Sequence, residues 1–196
     1  MRFKHFYKPL CESTGKTLII VDIQPGYKHV IHFSIEKFVD FLIDSKYDNY
    51  LYLYNGPETV GIDTKQDILN WIYEELDYDE EKIDELPDFT FYDKGYAFFR
   101  NAIDDGYDKK DILKVAEYLI KTKKNDSRDI TDEEWKELKV KPLRDDALWI
   151  PEVYDVLKEY NNIDICGGGK KECLYEVELL LDLRKKHYNE IEKFIY

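Results

Sequence analysis

Asp22, Lys94, Cys173 and the run Gly167-Gly168-Gly169 combine residue types suited to nucleophilic chemistry. Asp22 ends the apolar run that starts at Lys16, and Cys173 follows the apolar run Asn162 to Cys166 by way of the glycines. Short apolar runs of this kind read as strands buried on both faces. The C-terminal ends of such strands are where open α/β sheets bind ligands. The thiolate is the reactive form of cysteine, and a helix N-terminus favours it through the dipole and its free amides. Cys173 is expected about three residues inside the helix that the glycines open. In this arrangement Asp22 could accept the thiol proton and Lys94 could hold the two negative charges together. The amides of Gly169 and Cys173 could hold an oxyanion. Lys94, Lys170 and Lys171 favour a thiolate at Cys173, whereas Asp22 opposes it by like-charge repulsion, so the acid and the thiol could share one proton.

Positioning these groups requires alternating strands and helices. Thr17 to Val21 reads as the first strand, Tyr50 to Tyr54 as the second, Phe89 to Tyr92 as the third and Ile163 to Cys166 as the fourth. Ile191 to Ile195 reads as the last. Ser34 can cap a helix with Ile35, Phe38, Val39 and Leu42 on one face. Thr64-x-x-Asp67 and Thr131-x-x-Glu134 are capping boxes. Further helices are expected over Tyr96 to Ile103, Asp111 to Ile120, from Pro151 to about Tyr160, and Lys170 to about Lys186. Asp77 to Asp88 reads as an acidic surface excursion. The pattern predicts one α/β domain over residues 1–196. It is a three-layer, Rossmann-like fold with a mostly parallel five-stranded sheet in the order 3-2-1-4-5 and helical insertions. That order sets strands one and four side by side where the winding reverses, and Lys94 two strands from Asp22.

The chain has 196 residues and a formal charge of −13, which argues against a nucleic-acid backbone as partner. The stretch Lys109 to Lys124 is locally basic but interleaved with acids, and reads as a solvated helix face. No apolar stretch reaches membrane-spanning length, and the first residues lack the apolar core of a signal peptide. Three cysteines do not make a disulfide framework, so a reducing cytoplasm is the expected setting. Cys166 reads as core and Cys11 as a surface or packing residue. His29 and His32 lack a third clear ligand and read as structural. The richness in Tyr, Asp, Lys and Ile fits an AT-rich coding bias, bacterial or viral.

The constellation resembles a known family. Val21-Asp22-Ile23-Gln24-x-x-Tyr27 is similar to the Val-Asp-x-Gln-x-x-Phe signature of the isochorismatase-like cysteine hydrolases, which include the nicotinamidases. Tyr92-Asp93-Lys94, followed by Gly95-Tyr-Ala-Phe98-Phe99, looks like that family's strand-three lysine and the aromatic segment after it. Gly167 to Leu174 is similar to its Gly-x-x-Thr-x-x-Cys-Val stretch, with Lys170 where the family has threonine. The resemblance implies Asp22 as proton acceptor, Lys94 as electrostatic partner and Cys173 as nucleophile. It also implies an oxyanion hole of the Gly169 and Cys173 amides, a cis peptide before Gly169, and a substrate pocket including Gln24, Tyr27, Gly168 and Lys170. The Asp-x-His metal motif of nicotinamidases is absent, with Asn55-Gly-Pro-Glu58 in its place, so nicotinamide is not the expected substrate and neither metal nor cofactor is called for. Stretches 57–88 and 105–144 have no counterpart in the family pattern. They are expected as insertions forming a lid, a partner surface or a contact between copies in a homo-oligomer.

The expectation is therefore a hydrolase that cleaves an amide or related C–N bond of a small molecule through a thioester. The alternative is an inactive module of the same fold, with a viral source open to it, acting through protein–protein contacts. Two further classes are weaker. A phosphoesterase would hold Mg²⁺ between Asp22, Glu58 and Asp93, which Lys94 disfavours. Nucleotide binding at the glycine run lacks the spacing of a phosphate loop.

Overall fold

The computed structural model describes residues 15–56, 63–95, 98–143 and 147–196. Five strands form one sheet: β1 (Thr17–Val21), β2 (Asn49–Tyr54), β3 (Phe89–Asp93), β4 (Ile163–Gly167) and β5 (Tyr188–Glu190). Their order is β3-β2-β1-β4-β5 and every pairing is parallel. The α/β class and strand order expected from the sequence are those observed.

β1 is buried along its whole length, which accounts for its unbroken apolar run. Alternate side chains go to opposite layers. Leu18 and Ile20 join Tyr52 and Cys166 under α1 (Ile35–Asp44) and α2 (Lys65–Glu75). Ile19 and Val21 join Leu51, Leu53 and Ile165 on the other face. There they meet α5 (Lys109–Thr122), α6 (Asp132–Leu138) and α8 (Cys173–Leu183). Three short helices complete the chain order: α3 (Glu80–Asp84), α4 (Arg100–Asp104) and α7 (Val153–Val156). Among the described residues, no helix is long and apolar enough to cross a membrane.

The caps read from the sequence form. The Ser34 hydroxyl accepts from the Lys37 amide at 3.4 Å. Thr64 with Asp67, and Thr131 with Glu134, make reciprocal capping boxes. By contrast, α8 has no side-chain cap.

Several boundaries differ from the sequence reading. α8 begins at Cys173 itself, so the cysteine is the first helical residue and not the fourth. Ile191 to Ile195 is not a strand. Its centre is a 3₁₀ turn over Glu192–Phe194, and β5 lies just before it, opposite Ile163 to Ile165. The turn lets Phe194 bury against Phe33 and Phe38, with ring centroids 5.3 and 5.2 Å apart. Of the helix expected over Tyr96 to Ile103, residues 96–97 lie outside the described residues, Phe98 and Phe99 precede the helix, and α4 covers Arg100–Asp104. The helix expected after Pro151 is one turn of α7 continued by a 3₁₀ turn over Leu157–Glu159.

Helices within the two stretches expected as insertions pack against the sheet. Within 57–88, α2 is the crossover from β2 to β3 and buries Ile68, Trp71 and Ile72. Within 105–144, α5 and α6 bury Ile112, Val115, Leu119 and Trp135 in the core of the second face.

Candidate active site

The sheet registers bring the strand ends level. Val21 lies opposite Leu53 on β2 and Gly167 on β4, and Asp93 lies opposite Tyr54. Residues that follow these positions therefore emerge together, where the strand order reverses between β1 and β4.

Asp22 leaves β1 with φ of 50°, a left-handed conformation that costs an L-residue about 1–2 kcal/mol. Two bonds hold it there: its amide donates to the Leu53 carbonyl at 2.9 Å and its carbonyl accepts from the Tyr196 hydroxyl at 2.9 Å. Its carboxylate is fully buried. The Lys94 ammonium, also fully buried, lies 2.9 Å from Oδ2. Lys94 reaches it from two strands away, with its backbone amide anchored on the Tyr54 carbonyl at 2.9 Å and Nζ also donating to the Gly95 carbonyl at 3.2 Å. Burial works against the lysine's charge, but Asp22, Cys173 and Glu176 outweigh it, so its pKa is raised and it stays an ammonium. Among the described residues, neither Asp22 oxygen receives a hydrogen bond of regular geometry, so the ion pair leaves lone pairs able to take a proton.

The Cys173 thiol lies close enough to the same carboxylate for the Asp22 charge to act on it, without a hydrogen bond of regular geometry between them. Burial pushes the thiol pKa up, the Asp22 charge adds to this, and Lys94 opposes it. The thiol is protonated at rest, and the thiolate favoured by the local lysines is not the resting form. One reason is Lys170. Its ammonium turns outward to Glu192 at 2.8 Å and Glu190 at 3.3 Å.

Gly167 and Gly168 have φ of 80° and 63°. A Cβ on Gly167 would stand 2.1 Å from the Val21 carbonyl oxygen, and one on Gly168 would stand 2.8 Å from the Leu174 amide. No side chain fits where β4 meets β1 and α8. The Gly169 carbonyl accepts from Glu172 and Leu174, while the Gly169 and Cys173 amides donate to no backbone carbonyl among the described residues. The peptide before Gly169 is trans, unlike the cis bond the family resemblance implies.

Beside the thiol is a cavity of about 80 Å³ lined by Tyr27, Arg100, Glu172, Cys173 and Glu176. A larger groove of about 390 Å³, lined by Lys16, Asn162, Lys186 and Tyr188 among others, lies at the other end of the strands and shares no residue with the site.

The expected pocket residues part ways. Tyr27 lines the cavity; its hydroxyl accepts from the Asn55 amide group at 3.0 Å, and burial raises its pKa to about 12. Gln24 is a brace. Its Nε2 donates to the Asn55 carbonyl at 3.1 Å and to Asp63 at 2.8 Å, and its Oε1 accepts from the Asn55 amide at 2.8 Å. Gly168 offers its carbonyl to the Tyr196 amide at 3.2 Å. Lys170 does not line the cavity. Asp93 accepts from the Gly56 and Gly95 amides, both at 3.1 Å, while Glu58 and Cys11 lie outside the described residues. Cys166 is fully buried and its thiol pKa is pushed up by burial. His29 and His32 are exposed, and no metal-holding group of three or more His, Cys, Asp or Glu occurs among the described residues.

Two participants escape sequence reasoning. Glu176 is buried, and its Oε1 accepts from the Phe99 amide at 2.7 Å. Its only sequence signal is an acid three residues after Cys173 among the apolar positions Leu174, Val177, Leu180 and Leu181. Tyr196 has no local signal at all. Compared with protein-family models, curated proteins and solved structures, the chain matches none.

Proposed function

We propose that the chain is a cysteine-dependent hydrolase of the isochorismatase-like kind, cleaving an amide or related C–N bond of a small molecule through a thioester. The observation that carries this reading is the buried Asp22–Lys94 pair at 2.9 Å facing the Cys173 thiol at an uncapped helix start. A structural ion pair has no need of a nucleophile. A packing cysteine has no need of a desolvated acid paired with a lysine.

The steps balance with these groups alone. As sulfur attacks the carbonyl carbon, the Cys173 proton passes to Asp22. The oxygen becomes an oxyanion that the Gly169 and Cys173 amides can receive, assisted by the helix dipole. Collapse breaks the C–N bond, and the departing nitrogen takes the proton from Asp22. Water then attacks the thioester and gives a proton to Asp22. The C–S bond breaks, the acid leaves, and the proton returns to sulfur. Lys94, 2.9 Å from the carboxylate, supplies its counter-charge between proton transfers.

Intact-mass spectrometry of the protein mixed with a panel of small amides tests this. An acyl adduct is expected on wild-type protein and absent from Cys173→Ala and Asp22→Asn. If no adduct and no amine release appear with any amide, the reading falls. The inactive-module reading then takes its place, favoured by the small size of the cavity.

A further inference from the structure

Resting on that reading, the walls of the cavity specify the class of substrate. The volume of about 80 Å³ is roughly half the ~150 Å³ of a protein cavity that takes benzene. An acyl group smaller than a benzene ring is what it admits.

Charge narrows the class further. Glu176 and Glu172 both line the cavity, and the Asp22 charge acts on Cys173. Burial raises the Glu176 pKa, while the Phe99 and Arg100 amides and Lys94 favour its charged form. The cations are already engaged. Lys94 is paired with Asp22. Arg100 is held by Asp104 at 2.9 Å, Glu172 at 3.3 Å and the Lys171 carbonyl at 3.5 Å. Glu176 cannot swing away, because its carboxyl group accepts the backbone amides of Phe99 and Arg100 at the start of α4. A carboxylate entering here would meet acidic side chains, with the described cations Lys94 and Arg100 already paired, inside a chain whose formal charge is −13. A carboxamide would instead present N–H donors to acceptors.

We infer that the site takes a small uncharged carboxamide, with an acyl part of fewer than about six heavy atoms, and excludes carboxylate-bearing molecules, with Glu176 as the specificity-determining residue.

Iodoacetamide and iodoacetate test this, being nearly isosteric reagents that differ in an amide against a carboxylate. Each forms an S–C bond with Cys173 and releases iodide, the thiol proton passing to Asp22 or water. Labelling is followed by peptide mass spectrometry on native protein and on urea-unfolded protein at the same pH. After division by the unfolded ratio, Cys173 is expected to react at least about tenfold faster with the neutral reagent. Glu176→Gln should reduce that preference several-fold. Glu172→Gln, at the exposed rim, should reduce it too, and serves if Glu176→Gln fails to fold. A native ratio no greater than the unfolded one overturns the inference and leaves the hydrolase reading standing. A large ratio unmoved by a folded Glu176→Gln removes Glu176 from its role. A native Cys173 inert to both reagents, but labelled after unfolding, ends the inference and the nucleophile assignment together.

Discussion

The Tyr196 hydroxyl donates to the Asp22 carbonyl at 2.9 Å, joining residues 174 positions apart. The Tyr196 backbone also bonds the glycine loop: its amide donates to Gly168 at 3.2 Å and its carbonyl accepts from Lys170 at 3.1 Å. One residue thereby ties the end of β1 to the loop that leads into α8. Burial raises the phenol's pKa, which keeps it a donor. Tyr196→Phe removes one hydrogen bond and keeps the ring, so urea denaturation should show a loss of about 1 kcal/mol. No loss would mean that the backbone bonds alone hold the loops.

Lys94→Met leaves Asp22 buried without its counter-charge. A destabilisation of about 3–5 kcal/mol is expected, as for other broken buried pairs. Adding Asp22→Asn should recover part of it, so the double variant is less destabilised than the two single losses summed. Additive losses in a urea-denaturation cycle would show that the 2.9 Å contact carries no coupling.

Asp22→Asn separates proton transfer from thiol acidity. The Asp22 charge helps raise the Cys173 pKa, so removing it lowers that pKa and leaves Lys94 beside the sulfur. Iodoacetamide should then label Cys173 about three- to tenfold faster at pH 7. Acylation by amides should be lost, because the proton acceptor is gone. Slower alkylation would show that Asp22 assists ionisation even without a substrate.

Glu178 gives the fold a pH dependence remote from the cysteine. Burial, and then the charge and hydrogen bond of Glu190, raise its pKa from the ordinary 4.5 to about 7, with Asp182 adding to the rise and Lys109 opposing it. The folded state therefore keeps a proton that the unfolded chain has lost. The associated stability is full below pH 4.5, falls as the pH rises, and is gone above about 7. Glu178→Gln should flatten that slope and be more stable than wild type at pH 8. Parallel stability curves from pH 4.5 to 8 would contradict the assignment.

What the sequence determined by itself is what neighbours within a turn or a strand can enforce. The apolar run of β1 has to be buried on both faces, and the spacings Thr64 to Asp67 and Thr131 to Glu134 satisfy helix-start amides wherever those helices pack. Strand–helix alternation with few ways to wind it led to the order 3-2-1-4-5. From that order, the loaded ends of β1, β3 and β4 could be expected in one place, and the structure brings Asp22, Lys94 and Cys173 together there. Tertiary structure decided the rest, because it depends on partners that local pattern does not name. Gln24 became a brace because Asn55 and Asp63 stand within reach of both ends of its amide. Lys170 turned outward because Glu190 and Glu192 compete for its charge. Helices α5 and α6 joined the core because their apolar faces cover the second sheet face. The thiol's resting proton follows from burial and from one carboxylate brought across the sheet, quantities that exist only once the chain has folded.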